Sequence, residues 1–298
     1  MISLKCRNCA GEMSVDLKGE LICPYCGSKV QLSDKELEDY KTMRLNMLHF
    51  LRAEADYSKD KEDGDFFETY YENISYHSTD GLNISIHYLF FSEEDGIRAY
   101  VAKDSVIYVF PENEKQKVSK MLEGIKSVQY PPAALKKLNR YIPTIKAMKD
   151  LDDGGVLVAV DKPENVYPLY AFGSILPEHV AWIVSRLENI CCILEFSGII
   201  HNGISINSVY INTKTHEAFL YGGWWNWSKK NDSDGQNDLY ALRKVAVQIL
   251  GEYKVQAPDL FIKFISEKPA SDAYLDFEKW DAVIEKGFGG HKFIKFLK

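Results

Sequence analysis

Ile199-Ile-His-Asn-Gly-Ile-Ser-Ile-Asn-Ser-Val-Tyr-Ile-Asn212, a short polar turn, and Ala218-Phe-Leu-Tyr-Gly-Gly-Trp-Trp-Asn-Trp227 form the stretch on which the fold turns. Short runs rich in β-branched and aromatic residues flank the turn and predict two short strands, Ser208–Asn212 and Ala218–Tyr221, joined by it. Upstream, Val180, Ile183, Val184, Leu187, Ile190, Cys191 and Leu194 recur at helical spacing, so a long amphipathic helix leads into the hairpin. Cys191 falls on the buried stripe of that helix. It and Cys192 point about 100° apart and read as small core residues, not as a metal or redox pair. Downstream, Asn231–Asn237 is wholly polar, and Asp238-Leu-Tyr-Ala-Leu242 opens another helix with Val245, Ala246, Ile249 and Leu250 on one face.

The spacing of this stretch resembles the catalytic and metal-binding loops of protein kinases, which carry His-Arg-Asp-x-x-x-x-Asn, two strands and then Asp-Phe-Gly. The first motif aligns with His201-Asn202-Gly203, with Ser208 at the Asn position, and the second with Tyr221-Gly222-Gly223. The resemblance therefore implies Gly203 where the family has its proton acceptor, and Ser208 and Tyr221 where it has magnesium ligands. A phenol is a poor ligand for an ion that prefers hard anionic oxygen. Loss of a positioned base costs about 10²–10⁴-fold, and loss of both metal ligands removes most of the charge stabilisation of phosphoryl transfer. The resemblance also implies that Asp238 braces the loop by accepting from its backbone and that His201 packs beneath it. No catalytic residue and no nucleotide-binding residue is expected. Asp232 and Asp234 could supply a metal site in place of the lost residues, although a polar surface loop is the commoner reading of that stretch.

The likeness extends back to about Leu82. Asn83–Phe90 reads as a strand, Glu93-Glu-Asp-Gly96 as a hairpin turn, Ile97–Val101 and Val106–Phe110 as further strands, and Glu112–Ile125 as a helix. Ile142–Leu151 and Gly155–Val160 would be the fourth and fifth strands, and Asp161-Lys162-Pro163 a hinge between lobes. The first turn lacks Gly-x-Gly-x-x-Gly and the third strand has no lysine, so ATP binding is not expected. Without that lysine as a partner, Glu114 and Glu123 read as solvated helix charges. Trp224, Trp225 and Trp227 would either fill the core or vacant cleft or anchor a partner. The segment from Pro258 to Lys298 is expected to be helical, with a phenylalanine-rich end.

The N-terminus carries different chemistry. Cys6-x-x-Cys9 and Cys23-Pro-Tyr-Cys26 are two knuckles thirteen residues apart, a spacing that predicts a closed four-thiolate zinc site with no open position. Strands near Leu21–Cys23 and Lys29–Leu32 would complete a zinc ribbon. Within residues 1–32, Lys5, Arg7, Lys18 and Lys29 balance Glu12, Asp16 and Glu20, a distribution without the electrostatic footprint of a nucleic-acid reader. Ser33-Asp-Lys-Glu36 predicts a capping box and a helix to about Tyr57. Ser58–Asp65 is polar and unpatterned.

The 298 residues, 46% hydrophobic and 27% charged, suit a soluble α+β protein. The expected organisation is a zinc ribbon (1–32), a connecting helix and linker (33–65), a kinase-like small lobe (66–160) and a large lobe (161–298). A net charge of −7 argues against nucleic-acid and anionic-membrane partners. No apolar run reaches membrane-spanning length and no signal peptide is seen, so a cytoplasmic location is expected. The leading expectation is a zinc-bearing pseudokinase acting through an unidentified protein partner. The alternatives are a nucleotide-dependent enzyme with an unusual kinase-like site, and a zinc-ribbon nucleic-acid-binding factor.

Overall fold

A computed structural model describes residues 4–6, 8–10, 12–13, 20–23, 25–57, 70–132, 138–231, 236–292 and 294–296. At the N-terminus β1 (Leu4–Lys5) pairs with β2 (Glu12–Met13), and β3 (Glu20–Ile22) with β4 (Lys29–Gln31), both antiparallel. The capping box forms as expected. The Ser33 N–H donates to Glu36 Oε2 at 3.0 Å, and the Glu36 N–H donates to Ser33 Oγ at 3.3 Å. These bonds satisfy two orphan donors and start α1 (Asp34–Tyr57). The polar stretch Ser58–Asp65 lies outside the described residues.

β5 (Glu72–His77) and β6 (Asn83–Tyr88) form a hairpin in register Ile74↔Ile86. β7 (Phe90–Glu94), β8 (Ile97–Val101) and β9 (Ser105–Phe110) follow as a meander. Asp95 and Gly96 at the β7–β8 turn take φ of 54° and 76°, the paired positive values that a two-residue hairpin loop of matching twist requires. The expected single strand Asn83–Phe90 is in fact two strands that break at Leu89. Ile86 and Tyr88 bury against one apolar cluster, with Tyr76, Tyr100 and Leu157, whereas Leu89 and Phe90 bury in the main core. The two halves face different cores, so the chain must turn between them. The partner strand β5 has no counterpart in the sequence reading.

A short 3₁₀ turn, Glu112–Glu114, precedes α2 (Gln116–Ser127), in place of the single helix Glu112–Ile125. β10 (Ile145–Asp150) and β11 (Val156–Asp161) complete an antiparallel five-stranded sheet in the order β10-β11-β9-β8-β7. The β5–β6 hairpin covers one face of this sheet and α2 flanks it.

After β12 (Tyr167–Pro168), α3 (Pro177–Ser197) buries all seven residues of the expected stripe, Cys191 among them. It stops at Gly198, whose φ of 64° is the left-handed cap that ends many helices. β13 (Ile199–Ile200), β14 (Val209–Asn212) and β15 (Glu217–Leu220) follow, and β16 (Ser228–Lys229) returns to pair with β13. The hairpin expected from sequence is β14–β15, in register Val209↔Leu220. α4 (Asn237–Leu250), α5 (Asp259–Ser266) and α6 (Ala273–Gly287) complete the large lobe, with α3 packed against α4 and α6. The chain does not remain helical to its end. Gly289 and Gly290 take φ of 70° and 100°, and the following segment crosses back to place Phe296 on the His179 ring, 4.4 Å between centroids. Phe293 and Leu297 lie outside the described residues. Among the described residues no helix is long and apolar enough to cross a membrane.

Candidate functional site

The loop between β13 and β14 is held from beneath by α4. Asp238, in the first turn of α4, accepts from the His201 N–H at 2.7 Å and from the Asn202 N–H at 2.9 Å. This is the bracing role that the kinase resemblance assigns to it. Burial pushes its carboxyl up to about 6, against the two backbone donors that favour the charged form. His201 is fully buried. Its Nδ1 accepts from the Gly203 N–H at 3.1 Å and its ring meets Trp224 edge-on at 4.7 Å. Burial lowers it to about 3, so at neutral pH it is an uncharged packing element.

Opposite this loop runs the segment after β15, and the two are packed backbone to backbone. A β-carbon on Gly203 would lie 2.8 Å from the Gly223 carbonyl oxygen; one on Gly223 would lie 2.6 Å from the Gly203 carbonyl oxygen and 2.8 Å from His201 Cε1. One on Gly222 would meet Ser208 Cα at 3.0 Å and the Tyr108 hydroxyl at 3.3 Å. The Tyr221 and Gly222 N–H groups both donate to the Ser208 carbonyl, at 3.0 and 3.1 Å. Tyr221 continues the alternation of β15, on the same face as Phe219, against which it stacks at 5.3 Å; the Tyr210 ring is 5.4 Å away. Ser208 is buried, and its hydroxyl accepts from the Ser205 N–H at 2.8 Å and donates to the Ser205 carbonyl at 3.1 Å. It locks a turn. Asp232 and Asp234 lie outside the described residues.

The interior between the lobes is filled with aromatic side chains. Tyr108, on the strand that lacks a lysine, stands 5.5 Å from Trp225, and Phe110 stands 5.6 Å from the same indole. Trp224, Trp225 and Trp227 are all buried, at 0%, 4% and 5% exposure, so none of them is a surface anchor. The Trp224 indole N–H donates to the Leu220 carbonyl at 2.8 Å, and that of Trp227 to the Lys120 carbonyl of α2 at 2.7 Å. Gly124 makes room for this second contact, since a β-carbon there would lie 2.5 Å from Trp227 Cδ1. On α2 and the turn before it, Glu123 is exposed and Glu114 pairs with Lys117 at 2.9 Å.

At the expected hinge, Lys162 is buried and its ammonium donates to the Lys103 carbonyl at 2.8 Å and to the Pro163 carbonyl at 3.1 Å. Burial lowers it to about 7. Deeper in the large lobe, Arg243 pairs with Asp276 at 2.8 Å, and Glu188 Oε1 lies 3.7 Å from the same guanidinium. With Asp276 taking the cation, burial and the Asp276 charge push Glu188 up to about 9.

The N-terminal cysteines converge. The ligand atoms of Cys6, Cys9, Cys23 and Cys26 all lie within 4.8 Å of one another, with Cys6–Cys26 at 3.6 Å and Cys9–Cys23 at 3.5 Å. Four thiolates about 2.3 Å from a central ion stand roughly 3.8 Å apart, so this cluster fits a tetrahedral metal ion. Each knuckle closes in the same way. The Ala10 N–H donates to the Cys6 carbonyl at 2.8 Å and the Gly27 N–H to the Cys23 carbonyl at 2.9 Å. Both donor residues are left-handed, with φ of 57° and 68°. Cys6 and Cys23 are buried against Leu32, Leu37 and Tyr40, which joins the cluster to the start of α1.

Sequence reasoning missed a groove between α1 and the β7–β8 hairpin. Tyr40 and Tyr88 donate their hydroxyls to the two carboxylate oxygens of Glu72, each at 2.9 Å. Nothing in the local sequence signals it, because its walls come from α1, two hairpins and the loop that holds Asn207.

No protein-family model matches the chain, and no curated protein matches it in sequence. Solved structures do resemble it. The rhoptry antigen kinase domain of Toxoplasma gondii is 10% identical, with 84% of this chain and 92% of that one covered, at a TM-score of 0.50. Vaccinia related kinase 3 is also 10% identical, covering 71% and 91%, with a TM-score of 0.48. The PAN3 pseudokinase of Drosophila melanogaster is 11% identical, covering 74% and 67%, with a TM-score of 0.44. The chain thus has an α+β architecture in which a four-cysteine ribbon precedes a bilobal protein-kinase-like fold.

Proposed function

We propose that the protein is a pseudokinase with a structural zinc ribbon, a non-catalytic scaffold or regulator that works through protein contacts in the cytoplasm. The observation that carries this reading is the closure of Gly203 on Gly223. A kinase needs a carboxylate at the first loop and metal ligands at the second; here the Gly223 backbone occupies the space that a side chain on Gly203 needs, and the resemblance puts Ser208 and Tyr221 at the ligand positions. Tyr108 packs edge-on to Trp225 at 5.5 Å and brings its hydroxyl to within 3.3 Å of where a β-carbon on Gly222 would lie. Cys6, Cys9, Cys23 and Cys26 hold zinc in a closed site that supplies folding energy and no reaction. The organisation follows as ribbon 1–32, connector 33–65, small lobe 66–160 and large lobe 161–298.

Thermal unfolding of the zinc-loaded chain, with and without millimolar ATP and magnesium, tests the reading. A ligand at 100 times its Kd adds about 2.7 kcal/mol, which is readily seen. No shift is expected, and no transfer of labelled phosphate. A magnesium-dependent shift accompanied by transfer overturns the proposal.

A further inference from the structure

α1 touches three parts of the molecule along one face. At its start, Leu37 and Tyr40 pack on the buried thiols of Cys6 and Cys23. In its second turn, the Tyr40 hydroxyl donates to Glu72 Oε1 at 2.9 Å and the Lys41 ammonium lies 5.5 Å from the centre of the Phe91 ring, within cation–π range. Further along, Leu48 is buried in the main core with Leu45 packed against it, and α1 meets the Leu169–Phe172 turn of the large lobe. Leu37, Lys41, Leu45 and Leu48 follow at steps of three or four residues, the period of one helix face. That face does not sit flush. A groove of about 630 Å³ runs beneath it, walled opposite by Phe90 and Phe91 of the small lobe and by Tyr170, Ile206 and Asn207 of the large lobe. A helix spaced from its seat gains few dispersion contacts, so its hold depends on its anchors.

The first of these anchors has no interior of its own. Among the described residues, Cys6 and Cys23 are the only buried members of its apolar cluster, and Cys9 and Cys26 are exposed. A ribbon this small, with two thiols for a core, folds when an ion ties them. The lobes need no such help. Aromatic side chains fill the space between them, and the Trp227 indole ties the large lobe to α2 through the Lys120 carbonyl. We infer that α1 is a strap set by the metal cluster: it lies closed across the mouth between the lobes while Cys6, Cys9, Cys23 and Cys26 hold an ion, and it lifts off the Leu48 seat when the ion is lost. The inference rests on the zinc reading above and gives the ribbon a regulatory role which that reading does not contain. Lifting α1 uncovers the apolar seat of Leu48 and leaves the kinase-like fold closed.

The test is hydrogen exchange of the full chain, read by mass spectrometry with zinc bound and after chelation, with zinc content followed by elemental analysis. On chelation, the amides of residues 43–52 in α1 should exchange at least about tenfold faster, as local opening requires, while α3 and α4 keep their protection. Faster exchange confined to residues before 43 means that the ribbon melts without moving the strap, and it overturns the inference. Faster exchange throughout α3 and α4 means that the metal holds up the whole fold, and it overturns the inference as well. Tyr40→Ala leaves the four thiolates in place and removes the side chain that joins the ribbon to Glu72. With zinc retained, this variant should speed exchange over residues 43–52 by itself, and chelation should then add less than about twofold. Unchanged exchange in it overturns the inference. Should it lose zinc, the parent chain decides alone. The outcomes separate two readings. A chain that binds no metal loses the zinc reading and the strap together. A loaded chain whose residues 43–52 ignore chelation loses only the strap.

Discussion

Gly203 and Gly223 touch through their backbones, with room for a side chain on neither. Gly203→Asp, which would restore the kinase-like carboxylate, should therefore not restore catalysis. It should cost about 1–3 kcal/mol as overpacking against backbone atoms, read as a lower urea midpoint. Gly223→Ala should cost at least as much, because its φ of 80° adds the strain of a left-handed alanine. A Gly203→Asp chain with parental stability and new phosphate transfer would sink the account of the closed site.

The contact between α2 and Trp227 gives a second test. Gly124→Val places methyl groups where the indole lies, 2.5 Å from the would-be β-carbon. The indole must leave its site and lose its bond to the Lys120 carbonyl. Stability should fall by about 1–3 kcal/mol, with a red shift of tryptophan emission as the ring meets water.

Glu188 gives a signed pH dependence. Unfolded, its carboxyl releases its proton near 4.5; folded, it holds the proton up to about 9. Between these values the folded state binds more protons than the unfolded state, so the contribution of Glu188 to stability falls as pH rises from about 4.5 to about 9. Glu188→Gln removes that slope. Its stability relative to the parent, from urea unfolding, should rise steadily from pH 5 to pH 9, in the direction the linkage relation requires.

Lys162 works in the opposite direction. Its folded value of about 7 lies below the unfolded 10.5, so the unfolded chain binds the extra proton and stability rises with pH across that window. In Lys162→Met the gain relative to the parent should be greatest at pH 7 or below and shrink as pH approaches 10.5. A gain that grows with pH would contradict a charge buried at this hinge.

Metal analysis should find one zinc per chain, lost in Cys6→Ser. The five tryptophans, at positions 182, 224, 225, 227 and 280, all lie beyond the cysteine cluster in sequence. Chelation should release the metal without shifting tryptophan emission, if the kinase-like fold stands without it. Emission that follows zinc release would mean that the ribbon holds up the large lobe.

The parts of this structure legible in the sequence are those in which local chemistry dictates the outcome. Two Cys-x-x-Cys turns bring thiols together whatever surrounds them, Ser33 and Glu36 satisfy each other across one turn, and the stripe from Val180 to Leu194 faces one core. The reading failed where distant segments decide. Asn83–Phe90 is apolar enough for one strand, but the sequence does not say that Tyr88 and Phe90 belong to different cores. The close approach of Gly222 to the backbone of Ser208 joins two segments that the sequence alone does not bring together. The burial of Trp227 against Gly124 and of Trp225 against Tyr108 depends on residues more than a hundred positions upstream. The groove needs Tyr40 and Tyr88 to meet over Glu72, a conjunction with no sequence period.

Tyr40 belongs to two neighbourhoods at once. It packs against the buried cysteines of the ribbon and donates its hydroxyl to Glu72 in the groove. Thermodynamic reciprocity then follows. If filling the metal cluster steadies Tyr40 and thereby raises the affinity of the groove for any occupant, that occupant must raise the affinity for the metal by the same factor. Where the metal is buffered, such a chain would couple occupancy of the groove to metal supply.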